Sequence, residues 1–340
     1  MALPASGAIS LNNVNVELGL SGTATISMND AAVRGLFGVA SGAIGMNSGY
    51  GKSNAFNATI SSPQTDLDLY SWAVPQGYSA GGTANITIAP GVYVYSTTVG
   101  GAGMTIPSSF GAGKLTLTNN GFIMGRGGNG SASPAAGGAG SAAISISTPV
   151  SIVNNSFIGG GGGGGGGSSG PTQAAGGGGG AGGGNGTAGS TGGGGAGGGI
   201  GSAGASSPII GGGGGGGRIF PGTAGAGAIF ASTTPAQGGG AGGGGGILSF
   251  IVPPIPLQRF GNINAGGGGG WGANGGSGST GQTPGGSRTN GGAGGAGSAG
   301  GSNGGASAVI GNPGPAGRAI SLNGNSATRT GSGTTWGAVS

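Results

Sequence analysis

The sequence predicts a mainly β protein with a non-regular glycine-rich part. In order, we expect a small β-rich N-terminal module, a β neck, and a polyglycine II helix bundle with inserted loops. Short segments of the first half alternate apolar and polar residues, as half-buried strands do. Glycine accounts for 102 of the 340 residues, and 69 of them lie from position 159 to 305. Apolar and aromatic clusters interrupt these glycine tracts.

Composition argues against most enzyme classes. The chain has no Cys and no His, and its four acidic residues, Glu17, Asp30, Asp66 and Asp68, all lie in the first 68 positions. Hydrolases with paired carboxylates, Ser-His-Asp triads and two-metal sites all need groups that most of the chain lacks. We therefore expect no enzyme activity, no cofactor and no metal ion.

Charge and hydropathy give no sign of nucleic-acid or membrane binding. The net charge is +5, but the nine basic residues are scattered and no two are adjacent. Nucleic-acid binding favours clustered Lys and Arg on one face. The longest apolar stretch, at 247–257, is much shorter than the roughly 20 residues of a membrane span. The N-terminus also lacks the pattern of a signal peptide.

The first 56 residues contain an internal repeat. Ile9-Ser10-Leu11-Asn12-Asn13 recurs at 26–30 and, less closely, at 44–48. Each copy resembles a short strand that ends in a turn. Asn29 or Asp30 also suits the N-cap of a short helix that ends at Gly35. Because 56 residues form a thin core, we expect this module to need a partner surface. The candidate contact residues are Ile9, Leu11, Ile26, Met28, Arg34, Phe37, Ile44 and Met46.

Residues 57–158 are predicted to form the β-rich neck. Alternating segments occur at 84–99, 114–125 and 143–159, and one pattern occurs twice, at 117–123 and 152–158. This pattern is an apolar strand, two Asn residues, a small residue and Phe-Ile. It indicates either a compact β domain or the first rungs of a stacked structure. Residues 316–340 are predicted to form a C-terminal β segment.

Residues 159–315 are predicted to form the glycine-rich domain, for which three interpretations compete. A disordered linker is the default for such a composition, but linkers rarely carry apolar clusters. Collagen needs Gly at every third position and more than the 17 prolines present. Polyglycine II helices have three residues per turn and about 3.1 Å rise. Their backbone groups must find partners in neighbouring helices, so many short tracts joined by turns favour such a bundle.

The insertions between glycine tracts hold the bulky side chains of this domain. Arg, Ile and aromatic residues are enriched at binding hot spots, and loops on a rigid scaffold are common recognition sites. The alternative is that these side chains plug the core of the bundle. The candidate receptor-binding residues are Arg218, Ile219, Phe220, Ile229, Phe230, Phe250, Ile255, Leu257, Arg259, Phe260 and Trp271.

Three blocks of the chain, at 7–53, 91–163 and 316–340, resemble bacteriophage tail fibre and receptor-binding adhesin proteins. The glycine tracts are similar to the polyglycine II tips of some long-tail-fibre adhesins. The resemblance implies a virion tail protein, made in the host cytoplasm, whose N-terminus attaches to a tail, baseplate or fibre protein. Its loops are then expected to bind a host surface protein or polysaccharide. It also implies a homotrimer or several copies per virion.

Three other functions stay open at this point. A purely structural tail or baseplate component would share the fold without binding a host. An ice-binding or matrix protein also fits polyglycine II helices, although the bulky insertions disturb a flat face. An enzyme that degrades surface polysaccharide ranks last, because carboxylates are absent after residue 68.

Overall fold

The structure is a computed structural model that describes residues 2–80, 82–131, 136–166 and 314–340. It also describes Gly182 and five short strands between 168 and 311. The fold is mainly β with few helices, as the sequence predicts. None of the helices in these ranges is long and apolar enough to cross a bilayer.

The first 55 residues form a small helical module. Its elements are α1 (Leu11–Glu17), α2 (Ala31–Phe37) and a 3-10 helix (Met46–Gly49). No strand lies between residues 2 and 55. The prediction of a β-rich N-terminal module is therefore wrong.

Local hydrogen bonds explain why the first copy of the repeat starts a helix. The Ser10 hydroxyl accepts a hydrogen bond from the N–H of Asn13 at 3.1 Å. In return, Oδ1 of Asn13 accepts one from the N–H of Ser10 at 2.9 Å. This reciprocal pair is a capping box. An Asn that suits the end of a strand suits this position equally, because its side chain bonds to nearby backbone groups.

The second copy of the repeat leads directly into α2, with Asp30 at the N-cap. The Asp30 carboxylate accepts from the N–H of Ser27 at 2.8 Å and makes no capping bond to the helix. The short helix predicted here is confirmed, but its predicted end at Gly35 is wrong. The helix continues to Phe37 because the left-handed residue that ends it is Gly38, with φ of 73°.

A small apolar cluster holds the module together, apart from the main core. The isoleucines of the three repeat copies all contribute, so each copy supplies one equivalent anchor. The members are Leu3, Ile9, Val14, Val33, Leu36 and Phe37, with Leu18, Ile26, Met28, Val39, Ile44 and Met46 packed against them.

Strands make up most of the remaining structure. In chain order they are β1 Phe56–Ile60, β2 Gln64–Thr65, β3 Leu67–Asp68, β4 Ala84–Ile88, β5 Tyr93–Tyr95, β6 Ala102–Ile106, β7 Leu115–Asn119, β8 Phe122–Met124, β9 Ala142–Ile146, β10 Val150–Asn154, β11 Phe157–Gly159, β12 Ser168–Ser169, β13 Ala174–Ala175, β14 Asn262–Asn264, β15 Gly278–Gly281, β16 Ala308–Gly311, β17 Ile320–Ser321, β18 Ala327–Thr330 and β19 Thr334–Trp336. A short helix, α3 (Leu69–Ala73), and the 3-10 helices Val74–Gln76 and Ser108–Phe110 lie in connections.

Three parallel sheets form a parallel β-helix, here called the coil. The first sheet has the order β1-β4-β7-β10-β18, the second β19-β11-β8-β5-β2, and the third β17-β9-β6-β3. The chain visits the three sheets in turn, so each circuit, or rung, adds one strand to each sheet. This is the stacked structure that the repeated Asn-Asn pattern left open as one of two alternatives. The strands β12 and β13 pair antiparallel, as do β14, β15 and β16.

The C-terminal segment belongs to the same coil. The strands β18 and β19 pair with β10 and β11, and β17 pairs with β9. An isolated parallel bridge between Ile320 and Val339 completes the fifth rung. The predicted neck and the predicted C-terminal segment are thus parts of one body.

Inward-facing side chains stack in rows along the coil. Ile86 pairs in register with Leu117, and Leu117 with Ile152, and all three are fully buried. Burying each such side chain stabilises the fold by roughly 1.5–3 kcal/mol. Aromatic rings with centroids 5.0 to 5.7 Å apart pack where the third sheet returns to the first. These rings are Phe56, Tyr70, Tyr78 and Phe110.

Candidate functional site

One corner of the coil, here called the insertion corner, lengthens from rung to rung. It is the connection between the second and third sheets. It consists of residue 66 in the first rung, 96–101 in the second, 125–141 in the third and 160–319 in the fourth. The long glycine tracts therefore all leave the coil at one place, and this place decides how the glycine-rich part is held.

Asp66 fixes the first two rungs of the insertion corner. Its Oδ1 accepts hydrogen bonds from Oγ of Ser96 at 2.9 Å and from the N–H of Thr97 at 3.0 Å. Its Oδ2 accepts one from the Thr97 hydroxyl. Burial raises the pKa of Asp66, but the hydrogen bonds from Thr97, Ser96 and the N–H of Thr98 together outweigh burial. The pKa therefore lies below its usual range.

Ser141 joins the corner to the glycine tracts. Its hydroxyl donates to the carbonyl of Thr98 at 3.2 Å and accepts from the N–H of Gly100 at 3.1 Å. Its backbone N–H donates to the backbone carbonyl of Arg126 at 2.7 Å, and its own carbonyl accepts a hydrogen bond from the N–H of Gly161 at 2.9 Å. Ser141 thus forms hydrogen bonds to the second rung and to two glycine-rich stretches, at 125–131 and 160–166.

Four glycine segments pack against one another beyond this corner. They are defined here as residues 125–131, 136–141, 160–166 and 314–318. The backbone N–H groups of Gly125, Gly128 and Ser131 donate to the carbonyls of Gly159, Gly162 and Gly165, at 2.8 to 3.0 Å. Gly159 is the last residue of β11, directly before the third segment. The donors and the acceptors both advance by three residues, so the first and third segments are parallel with a repeat of three.

The other contacts of segment 160–166 have the same repeat but the opposite direction. The N–H of Gly161 donates to the carbonyl of Ser141, and the N–H of Gly164 donates to that of Gly138, both at 2.9 Å. The carbonyls of Gly161 and Gly164 accept from Gly317 and Gly314, both at 2.8 Å. This one segment therefore bonds to three neighbours.

Glycine is required at these contacts because the backbones touch. A methyl group at Gly161 would overlap the carbonyl oxygen of Arg126, and one at Gly164 would overlap that of Asn129. A methyl group at Gly140 would overlap the carbonyl oxygen of Gly161 in turn. Since a carbonyl of the backbone cannot swing away as a side chain can, any larger residue forces two segments apart.

An aromatic cluster supports the start of the long insertion. It lies on the outer face of the second sheet and consists of Tyr93, Tyr95, Phe122, Met124, Phe157 and Trp336. The ring centroids of Tyr93 and Phe122 are 5.1 Å apart, and those of Phe157 and Trp336 are 5.2 Å apart. The carbonyl of Trp336 accepts from the N–H of Gly160 at 2.9 Å. The first glycine of the insertion is thus bonded directly to this cluster.

The candidate receptor-binding residues belong to the insertions between the glycine tracts. Their role stays a prediction, since all of them lie outside the described residues. They are Arg218, Ile219, Phe220, Ile229, Phe230, Phe250, Ile255, Leu257, Arg259, Phe260 and Trp271.

Most of the candidate attachment residues pack inside the N-terminal module. Ile9 and Phe37 are buried, and Ile26, Met28, Ile44 and Met46 pack against them. Arg34 donates to Oδ1 of Asn29 and to the carbonyls of Val39 and Gly42, at 2.8 to 3.2 Å. Leu11 alone among the eight is a largely exposed apolar side chain, at 42%. The role of these residues in attachment stays a prediction.

Comparison with known proteins gives this arrangement a family context. Residues 55–207 match the model of the phage tail fibre adhesin Gp38 family. The resemblance to phage tail fibre adhesins is confirmed. The matched stretch contains most of the coil, the first three glycine segments and the start of the long insertion. The family is one of adhesins and not of enzymes.

One solved structure is also similar to this chain. It is the gp37–gp38 adhesin tip complex of the long tail fibre of bacteriophage S16, at 20% sequence identity and a TM-score of 0.46. The similarity covers 99% of this chain and 100% of the other. No curated protein sequence matches the chain. The family match covers residues 55–207, fewer than half of the residues of the chain.

The sequence did not predict the role of some residues that stabilise the insertion corner. Asp66 was counted only as one of four carboxylates, and Ser141 carried no signal. Trp336 stood out near the C-terminus, but its place beside Phe157 follows from the pairing of β11 with β19, whose partner residues are 177 positions apart. A row of aromatic residues at the outward positions of β5, β8 and β11 was the one available clue.

Proposed function

We propose that the protein is a phage tail fibre adhesin that binds a host receptor through loops carried on a polyglycine II scaffold. The observation that carries the proposal is the repeat of three in the hydrogen bonds among the four glycine segments. A polyglycine II helix has three residues per turn and no internal hydrogen bonds, so its N–H groups point in three directions toward neighbours. Segment 160–166, with its three neighbours, has this pattern.

Rigidity is the physical advantage of such a scaffold. A loop whose ends are held by a packed lattice loses less conformational entropy on binding than a loop on a flexible chain. The lattice is itself anchored, because Ser141 and Trp336 bond it to the coil. The insertions 218–237 and 247–265 lie between further glycine tracts in the sequence, and we propose that the same lattice carries them.

We further propose that the N-terminal module attaches the adhesin to a tail fibre or baseplate protein. Exposed apolar side chains on and after α1 support this role, since such side chains on a small module favour a protein contact. They are Leu11, Val16 and Leu20, which are 42%, 54% and 46% exposed. The proposal extends to several copies per virion, as a homotrimer or otherwise, and to a host surface protein or polysaccharide as the receptor.

Exchange of the insertions tests the receptor role. Segments 218–237 and 247–265 are replaced, one at a time and together, by those of an adhesin from a phage with another host. We expect adsorption to follow the donor of the insertions. Unchanged host range with normal particles would contradict receptor binding by these loops, and would leave a purely structural tail component as the function.

A matched variant tests attachment separately. Changing Leu11, Val16 and Leu20 to Ser should release the adhesin from particles, while the purified protein keeps its binding to host cells. If particles retain the variant in full, the N-terminal surface is not the attachment site. The two experiments have different readouts, so one role can fail without the other.

A further inference from the structure

A groove of about 620 Å³ lies on the outer face of the third sheet, next to the insertion corner. Its floor is formed by β6, β9 and β17. Its walls are formed by the loop at 100–101, the glycine segments around 140 and 315–318, and Asn323. The volume is in the range of small-molecule sites, about 300–1,000 Å³.

Hydroxyl groups line the floor in a regular row. Thr105 pairs in register with Ser145, and Ser145 with Ser321, so one hydroxyl stands on each of three successive rungs. Adjacent strands are about 4.8 Å apart. No described residue bonds to the hydroxyl of Thr105, and Oγ of Ser145 only accepts, from Nδ2 of Asn323 at 3.0 Å. Both hydroxyls therefore have a hydrogen to donate to a ligand.

The charge of the groove comes from Arg318. It is the one charged residue among the described lining residues. Among the described residues, its guanidinium makes a single long hydrogen bond, from Nη1 to Oγ of Ser321 at 3.4 Å. Asp68 stands in register with Thr105 on the neighbouring strand, where its Oδ1 accepts a hydrogen bond from the N–H of Ser71 at 2.7 Å. No acidic side chain of the described part of the chain lines the groove itself. Most of the five N–H donors of this guanidinium are thus available to an anion.

The backbone at Arg318 is held on both sides. The carbonyl of Arg318 accepts from the N–H of Ala143 at 2.9 Å, and the N–H of Gly317 donates to Gly161 at 2.8 Å. A cation on a fixed backbone, beside a row of hydroxyls on a sheet, is preorganised for a ligand that has both an anionic group and several hydroxyls. A sugar acid and a sugar phosphate have this combination.

We propose that the groove binds an anionic saccharide unit, with Arg318 on its carboxylate or phosphate and Thr105 and Ser145 on its hydroxyls. The residues named for this site lie outside the insertions at 218–237 and 247–265 in the sequence. The site provides a second contact with the host envelope near the coil, and it does not depend on which receptor the loops bind.

Titration of the purified full chain with small probes tests the site. The probes are glucuronic acid, glucose 6-phosphate, glucose and inorganic phosphate, measured by ligand-observed NMR at low salt. We expect one or both sugar anions to bind at millimolar concentration, at least about tenfold more tightly than glucose or phosphate, since hydrogen bonds to charged groups are strong. Glucuronic acid and glucose 6-phosphate distinguish a carboxylate from a phosphate as the anion.

Two variants locate the binding. Arg318→Gln should weaken it about tenfold, whereas Lys52→Gln, which changes an exposed cation outside the groove, should leave it unchanged. Thr105→Trp fills the floor without removing charge and should also abolish binding, with circular dichroism to confirm folding. Equal binding of glucose and glucuronic acid, equal binding of phosphate and the sugar phosphate, or full binding by Arg318→Gln would each overturn the proposal.

Discussion

The side-chain amide of Asn119 donates a hydrogen bond to Oδ1 of Asn154 at 2.8 Å, one rung away, and both side chains are buried. The same Nδ2 of Asn119 donates to the carbonyl of Phe157 at 3.1 Å, and Asn154 donates in turn to Thr334 at 3.1 Å. Each Asn thus bonds the next rung at the corner between the first and second sheets. A second, outer pair, Asn155 to Asn120 at 2.9 Å, runs beside it.

Replacing Asn119 by Asp should destabilise the coil strongly. The variant puts a carboxylate opposite two acceptor oxygens in a buried place, and loses both donated bonds. We expect a cost of about 3 kcal/mol, since an unsatisfied buried group costs about 1–3 kcal/mol and a charged one more. Thermal and urea unfolding measure the change. The control is Asn120→Asp, which keeps the acceptor of the exposed outer pair, and equal losses in both variants would refute the role of the buried stack.

Replacing Gly161 by Ala should disturb the glycine segments. The added methyl group overlaps the carbonyl of Arg126, and such overpacking costs about 1–3 kcal/mol or more. Melting temperature and adsorption to host cells should both fall. The matched control is Gly35→Ala in α2, where nothing lies within 4 Å of the added atom. That variant should be neutral or slightly stabilising, because Ala favours helices over Gly.

The stability of the insertion corner should depend on pH through Asp66. Its pKa is lower in the folded protein than in the unfolded chain, where it is about 3.9. The stabilisation by Asp66 is therefore complete above about pH 4 and is lost as the pH falls through the folded pKa. We expect the wild-type protein to have a higher melting temperature than the Asp66→Asn variant at pH 7. The difference between the two melting temperatures should become smaller toward pH 3. A difference of constant size over this range would contradict the ionic role.

Arg329 should prevent coils from pairing end to end. It stands in register with Ile152, at an inward position of the last strand of the first sheet, yet it is exposed. An inward-pointing charge on an edge strand disfavours pairing with another chain, because pairing would bury it. Arg329→Val should therefore form dimers or larger species in light scattering. Thr328→Val, an outward change on the same strand, should not associate, and equal association of both variants would argue against this role.

The stacking of strands was partly predictable because the sequence of the stacked strands repeats. The pattern of an apolar strand, two Asn residues and Phe-Ile occurs twice, 35 residues apart, and the structure pairs Phe122 with Phe157 at that spacing. The N-terminal repeat was also real but was misinterpreted. Ile-Ser-Leu-Asn-Asn alternates as a strand does, and only the capping bonds between Ser10 and Asn13 make it a helix start.

The sequence by itself determined that the fold is mainly β and that a pattern with two Asn residues occurs twice. Both properties are local, because a single stretch of chain displays the alternation of a strand and the residues of a turn. Only the tertiary structure decided that β19 closes on β11, that the long insertions leave through one corner, and that Arg318 faces a row of hydroxyls. Those relationships join residues far apart in the sequence, such as Thr105 and Arg318. The parallel register that brings them together depends on the burial of the whole coil.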